Sequence, residues 1–358
     1  MRPQLPLLFL IVLTLTSCNR EAVPTSTLRV WHFWSEPKQR AVLDSLVRVF
    51  ENQHPTIDVE LTELSWNDGK SKLQLAFNAG TQPDVIHLGL DWFAEFDESG
   101  VFADLPDSLT TDGRASMWLV NVRANVIQST ATNKSVGLAT SDPHNVVKRC
   151  LPYLWADTNV KLYTRVPIAQ DLNAALVDAL ENVRTSIIPY AIIDRSRQLD
   201  EALLNGKLHA VLTGPWIIDM VRERNITSLS VEPMRSILNA DVLSIAKNSP
   251  NGTAAHTFIG YLRAYPQARA FCMSVSDAGF PVDLDRVWTD STFTNDSLTI
   301  GFLRTAKMSS PLPHSSRMLS IEPVIEDMLS RCFRAKNRQE IEALVADAQR
   351  KVQSIELR

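Results

Sequence analysis

The stretch from Gly80 to Phe102, GTQPDVIHLGLDWFAEFDESGVF, decides the architecture. Gly80 closes a helical run, because a residue free to take positive φ is the usual helix stop. Pro83 cannot continue a helix, and Asp84-Val85-Ile86-His87-Leu88 then reads as a short, mostly apolar strand. Asp91-Trp92 follows at once, and a second helix runs on to Gly100. In an α/β layer, ligands bind beyond the C-terminal ends of the strands, so Asp91 and Trp92 stand where a site would be built.

Working back from Gly80, Lys70 to Ala79 reads as a helix with Leu73, Ala76 and Phe77 inward. Ile57 to Thr62 alternates cleanly between apolar and polar residues, a strand with one covered face, and Trp66 lies in the loop after it. Before it, Leu28 to Phe33 is a strand. Ser35 suits an N-cap and Pro37 a first helical turn. The helix that follows puts Val42, Leu43, Leu46, Val49 and Phe50 on one face, and Pro55 stops it. This is β-α-β-α-β-α without a break, the pattern of a parallel sheet covered by helices. Three successive strand ends carry an indole: Trp34, Trp66 and Trp92. Such a row makes a platform for a sugar-like or apolar ligand; the competing use of each is to plug its loop into the core.

Working forward, Met117 to Ile127 is predicted helical and Ser129 to Asn145 a polar loop. Leu199 to Asn205 is a helix closed by Gly206, and Lys207 to Thr213 a strand. Gly214-Pro215-Trp216 then opens the next helix, with proline at its first position and glycine easing the turn. Asp241 to Ala246 is a return strand. The helices expected after it are Thr253–Arg263, Pro266–Ser274, Leu298–Met308, Leu319–Phe333 and Gln339–Val352.

The Gly-Thr-x-Pro-Asp strand, a polar residue beside an aromatic, and a helix ending in Ser-Gly-x-Phe resemble the family 1 extracellular solute-binding proteins. These are the maltose-binding-protein-like receptors of ABC importers. The opening strand, Gly214-Pro215-Trp216 and the C-terminal helices share the likeness. The resemblance implies a two-lobe periplasmic-binding-protein-like α/β fold, each lobe a helix-covered, mostly parallel sheet, joined by crossing hinge strands. It implies a first lobe of 28–158 plus 242–290 and a second of 159–241 plus 291–358, with a strand in the Leu151–Tyr163 segment crossing between them. It makes Asp91 a ligand-binding acid, has Trp216 stack on the ligand, and turns Gly279-Phe280-Pro281 toward the cleft. The sequence departs from the family pattern in three places. Thr164 follows Tyr163 where asparagine is usual, the Pro-x-Thr-Trp-x-Glu segment is absent, and Asn239-Ala240 replace two glycines.

A chain of 358 residues, 45% of them hydrophobic, has length for two domains. Its formal net charge is −4 and no run of like charge stands out, which argues against nucleic acid and polybasic membrane docking. Arg2 precedes an apolar run, Leu5 to Leu15, too short to span a bilayer and the right length for a signal peptide. Leu15-Thr16-Ser17-Cys18 looks like a bacterial lipobox. Residues 1–18 are therefore expected as a lipoprotein signal with Cys18 acylated, and 19–27 as a polar tether. That places the protein outside the cytoplasm, lipid-anchored at the cell membrane surface or in the periplasm; a plain secretory signal is the alternative. Cys150, Cys272 and Cys332 have no CxxC or metal-ligand spacing, and three thiols cannot all pair within one chain.

The sequence holds no G-x-S-x-G, H-E-x-x-H, Walker loop or G-x-G-x-x-G, and no His pair at helical spacing. No catalytic residue, metal or cofactor is expected. A neutral polar ligand needs only indoles to cover a pyranose face and acids or amides to take its hydroxyls. The candidates are Trp34 with Glu36, Asp91 with Trp92, and Trp66, Trp155 and Trp216. Asp91 serves equally as an N-cap, and Glu36 as a first-turn partner of the helix dipole. The expected function is capture of a small solute, a mono- or oligosaccharide, by lobe closure and its delivery to importer permeases, the binding protein acting as a monomer. The absence of an arginine cluster tilts the choice to neutral sugars. A lipid-anchored sensor or accessory protein that has left transport is the alternative, and a surface carbohydrate hydrolase the third reading.

Overall fold

The computed structural model describes residues 26–110, 113–141, 146–164, 166–311, 315 and 317–357; the side chains of Asp91 and Leu319 lie outside that description, as do Cys18 and most of the tether. Eleven strands follow in chain order: β1 Ser26–His32, β2 Ile57–Glu63, β3 Val85–Gly89, β4 Ser116–Asn121, β5 Ala124–Gln128, β6 Val136–Leu138, β7 Ala191–Ile193, β8 Ala210–Thr213, β9 Leu229–Glu232, β10 Asn239–Ile245 and β11 Phe280–Pro281. They form two sheets, ordered β11-β4-β10-β3-β1-β2 and β7-β6-β8-β5-β9. Each sheet with its helices is one lobe. Both sheets are mixed. β2, β1 and β3 run parallel, β10 and β11 run against them, and β4, antiparallel to both β10 and β11, runs with them; β7, β6 and β8 run parallel while β5 opposes β8 and β9.

The opening units form as the periodicity predicts. The helix Pro37–Gln53 buries Leu43, Leu46, Val47 and Phe50; Val49 is left exposed. Its N-cap is Glu36 and not Ser35, and no side chain caps it. The helix Gly69–Ala79 buries Leu73 and Ala76 and ends at Gly80 with φ 68°, the left-handed conformation glycine takes without steric cost. In the β2-β1-β3 order the chain reverses direction across the sheet between β1 and β3, which opens a crevice at their C-terminal ends.

Two expectations fail in the middle of the chain. Residues 117–127 are not a helix but the adjoining strands β4 and β5. From Val120 to Gln128 buried and part-exposed residues alternate without interruption, the period of a strand. Because β4 belongs to the first sheet and β5 to the second, the chain first changes lobe at residues 122–123, far ahead of the Leu151–Tyr163 segment. Of the span expected in the first lobe up to 158, β5, β6 and the helix Val146–Leu154 therefore lie with the second lobe. Val146–Leu154 is a helix instead of a crossing strand, burying Val146, Val147, Cys150, Leu151 and Leu154 in a helical core with Ile321, Ile325 and Leu329. The chain returns between β9 and β10, through residues 233–238, and leaves again before the helix Ser297–Met308, which packs on β9.

The three cysteines in the described part are free and buried. Among the described residues no helix is long and apolar enough to cross a membrane, and no group of His, Cys, Asp or Glu is arranged to hold a metal ion.

Candidate functional site: the cleft between the lobes

A cavity of about 410 Å³ opens where the two lobes meet, within the range of roughly 300–1,000 Å³ usual for small-molecule sites. Its first-lobe wall is built from the C-terminal ends of β1, β2 and β3: Phe33 to Glu36, Trp66, and His87, Gly89 and Leu90. The crossing segments supply Asn121, Arg123 and Asn239 to Asp241. Lys148 and Trp216 face in from the second lobe, and the turn Ser276–Ala278 contributes Asp277 and Ala278.

Trp34 is almost wholly buried. Its indole stacks on His87 at 3.8 Å between ring centres and meets Trp118 and Phe271 edge-on. Its Nε1 donates to Asp241 Oδ2 at 3.1 Å. The backbone N–H of Phe33 donates to His87 Nδ1 at 3.1 Å. The neutral ring therefore carries its proton on Nε2, which faces Asp241 Oδ1 at 3.4 Å. A β-bulge lies between Asp241 and Val242 on β10, the kind of irregularity that re-aims a side chain beside a site. So the stacked Trp34–His87 pair positions Asp241 where the return strand enters the first lobe.

Trp66 is 47% exposed. It stacks on the buried Phe33 at 4.5 Å and meets Trp92 edge-on at 5.1 Å. Trp216, on the opposite lobe, is half-buried. Its Nε1 donates to Asp200 Oδ2 at 2.8 Å, and the Arg123 guanidinium lies 5.7 Å from its ring centre. A side chain at Gly214 would stand 2.0 Å from Cζ3 of the indole, so only glycine lets the ring lie against this turn. The helix begins at Ile217, later than the sequence predicts from Pro215; two turn hydrogen bonds, Ile217 to Gly214 and Ile218 to Pro215, lead into it. Burial pushes the Asp200 carboxyl up, and the indole N–H pulls it partly back.

Electrostatics distinguish the two walls. Glu36, Asp241 and Asp277 line the first-lobe side, Arg123 and Lys148 the crossing and the second lobe. Asp277 is pushed up to about 6 by burial first, then by Asp241 and Glu36, against the pull of Arg123. Its turn is clamped to the helix after Trp216: Ser276 N and Oγ both donate to Asp219, each at 2.9 Å.

Of the candidates named by sequence, Trp34, Glu36, Trp66 and Trp216 meet around this one cavity. Asp91 lies in the helix Leu90–Glu98, next to the lining residue Leu90, but its side chain is outside the described residues. Trp92 stands behind Trp66, edge-on to Phe33, with Lys70 over its ring, and does not line the cavity. Trp155 is buried in the helical core of the second lobe, its Nε1 donating to the Leu162 carbonyl at 2.9 Å; it packs and does not face the cleft. Glu36 makes no capping hydrogen bond, which leaves its carboxylate exposed at the rim. The sequence reading missed His87, Arg123, Asp241 and Asp277. Only Asp241 carried a signal, as the first residue expected in the return strand.

Residues 34–192 match the family model of the bacterial extracellular solute-binding proteins. The maltotriose-binding protein of Pyrococcus abyssi is 19% identical over 376 aligned residues, spanning 90% of this chain and 81% of its own length. An uncharacterised lipoprotein of Streptomyces antibioticus is 32% identical over 117 residues, 31% of this chain and 26% of its own. The structure of the sugar-binding protein MalE from the phytopathogen Xanthomonas citri superposes with a TM-score of 0.73 at 18% identity, covering 93% of this chain and 98% of that one. The chain is therefore similar to the bacterial extracellular solute-binding proteins over residues 34–192, and it shares the two-lobe fold of the sugar-binding protein MalE over almost all of its length.

Proposed function

We propose that the protein captures a sugar in the interlobe cleft, closes on it, and presents it to the membrane subunits of an ABC importer, without a catalytic step. One observation carries the reading: Trp66 and Trp216 stand on different lobes yet line one cavity with carboxylates and amides between them. Indole faces cover the C–H faces of a pyranose, and Glu36, Asp241, Asn121 and Asn239 offer acceptors and donors to its hydroxyls. Contacts made to both lobes at once stabilise the closed arrangement, so the solute shifts a population that a permease then reads. The names of the maltotriose-binding and sugar-binding relatives support the solute class. Acylation at Cys18 would hold the protein at the membrane face, and acyl-chain mass spectrometry on the mature protein tests it.

The binding test is a thermal-shift screen of the mature protein against mono- and oligosaccharides, followed by calorimetry on the best. A solute that binds only the native state raises its melting point. Trp66→Ala removes a half-exposed ring and should leave the fold intact while weakening sugar binding by about tenfold or more. If no sugar shifts the melting point, or Trp66→Ala and Trp216→Ala both bind like the parent, the reading fails.

A further inference from the structure

We propose that the cleft selects a sugar bearing a protonated amine, received by Asp277 and Glu36 with Asp241 behind them. This rests on the cleft being a sugar site and replaces the neutral sugar expected from sequence. Three carboxylates line one wall of a single cavity. Asp241 already accepts from the Trp34 indole. The side chains of Glu36 and Asp277 make no hydrogen bond or ion pair among the described residues.

A second group, His87, belongs to the wall of the same cavity and faces Asp241. His87 is fully buried at the cavity floor, and its Nε2 has no well-formed hydrogen-bond partner, 3.4 Å from Asp241 being a long contact. With Nδ1 occupied by the Phe33 N–H, Nε2 is a donor, suited to a hydroxyl oxygen beside the amine. A buried polar group without a partner is costly to leave so, and a polyol oxygen satisfies it.

At Asp277 the nearby Arg123 does not offset the two other acids. Arg123 lies over the Trp216 ring and Lys148 belongs to the second lobe. At Asp277 the repulsion from Asp241 and Glu36 outweighs the attraction of Arg123, and burial adds to it. An ammonium against Asp277 turns that repulsion into a charge-assisted hydrogen bond, and a uronic acid or sugar phosphate there meets like charge.

The test is calorimetry on the mature protein with three disaccharides of like shape: cellobiose, the glucosamine disaccharide and cellobiouronic acid. The glucosamine disaccharide should bind at least about tenfold tighter than cellobiose, with cellobiouronic acid the weakest. Asp277→Asn keeps the side-chain shape, and in that variant the amine-to-neutral ratio should fall below about threefold; circular dichroism checks that it folds. Equal binding of the amino and neutral sugars, or a preference that survives Asp277→Asn, overturns the proposal and leaves the sugar reading standing. Failure of all three sugars, together with a blank sugar screen, removes both.

Discussion

At the scale of single residues, Asp277 makes a sign-definite prediction. Its folded carboxyl titrates near 6, above the ordinary aspartate value of 3.8. The stability it contributes is therefore complete below about pH 4 and is lost as pH rises through about 6. Asp277→Asn should unfold at higher urea than the parent at pH 7.5, by about 1–2 kcal/mol once its partial exposure is allowed for. The gap should close by pH 4, and one that stays constant with pH would contradict the assignment. His32 acts in the opposite sense. Burial first, and the neighbouring His87 and Arg40, push it down to about 3. Its contribution is present above about 6.5 and falls away as the solution is acidified toward 3. Gly214 is the third case. Gly214→Ala would drive a methyl into the Trp216 ring, and the displaced indole should cost about 1–3 kcal/mol of stability. It should also weaken sugar binding; calorimetry and thermal melting read the two together.

At the scale of elements, what could be read depended on how local the signal was. β1 to β3 and the helices between them follow from hydrophobic period, from Pro37 and Pro55, and from Gly80, all within a few residues of what they specify. The run 116–128 carried an equally local signal, since Val120, Val122, Ala124 and Val126 alternate, and reading it as a helix was a mistaken period. The helix Val146–Leu154 is different. Its Leu-Pro-aromatic segment suggested a crossing strand by resemblance, and packing against residues near 325 in the chain holds it as a helix. The site was legible in part because strand ends announce themselves, whereas Asp241 and Asp277 reach the cleft by tertiary folding; Trp34 and its partner Asp241 stand 207 residues apart. One contact between elements has its own test. The Asp219 carboxylate joins the helix Ile217–Glu223 to the Ser276 turn through two hydrogen bonds. Asp219→Ala should cost about 1–3 kcal/mol in urea unfolding and loosen the turn that carries Asp277, lowering the amine preference without removing the cavity.

At the scale of the molecule, two lobes tied by three passages can move only as those passages bend. A compact chain of this length has a radius of gyration of roughly 20 Å. The sugar-free protein should exceed that value in small-angle scattering and contract toward it when a bound sugar is added; an unchanged radius would argue against closure. The passages differ in kind. Residues 122–123 continue β4 straight into β5, while the longer return, 233–238, is fastened near its end to Ser309 and Ser310 of the second lobe. The long connection therefore travels with the body it leaves. Bending is expected in the narrow band where residues 122–123 leave β4 just past the Asn121–Asn239 and Val120–Ala240 pairs, Asn239 and Ala240 standing where the family resemblance implies two glycines. The lobes then swing as a door does, about one fixed line with a stiff pin, and lengthening the 233–238 connection should leave the swing untouched while a glycine pair at 239–240 should widen it.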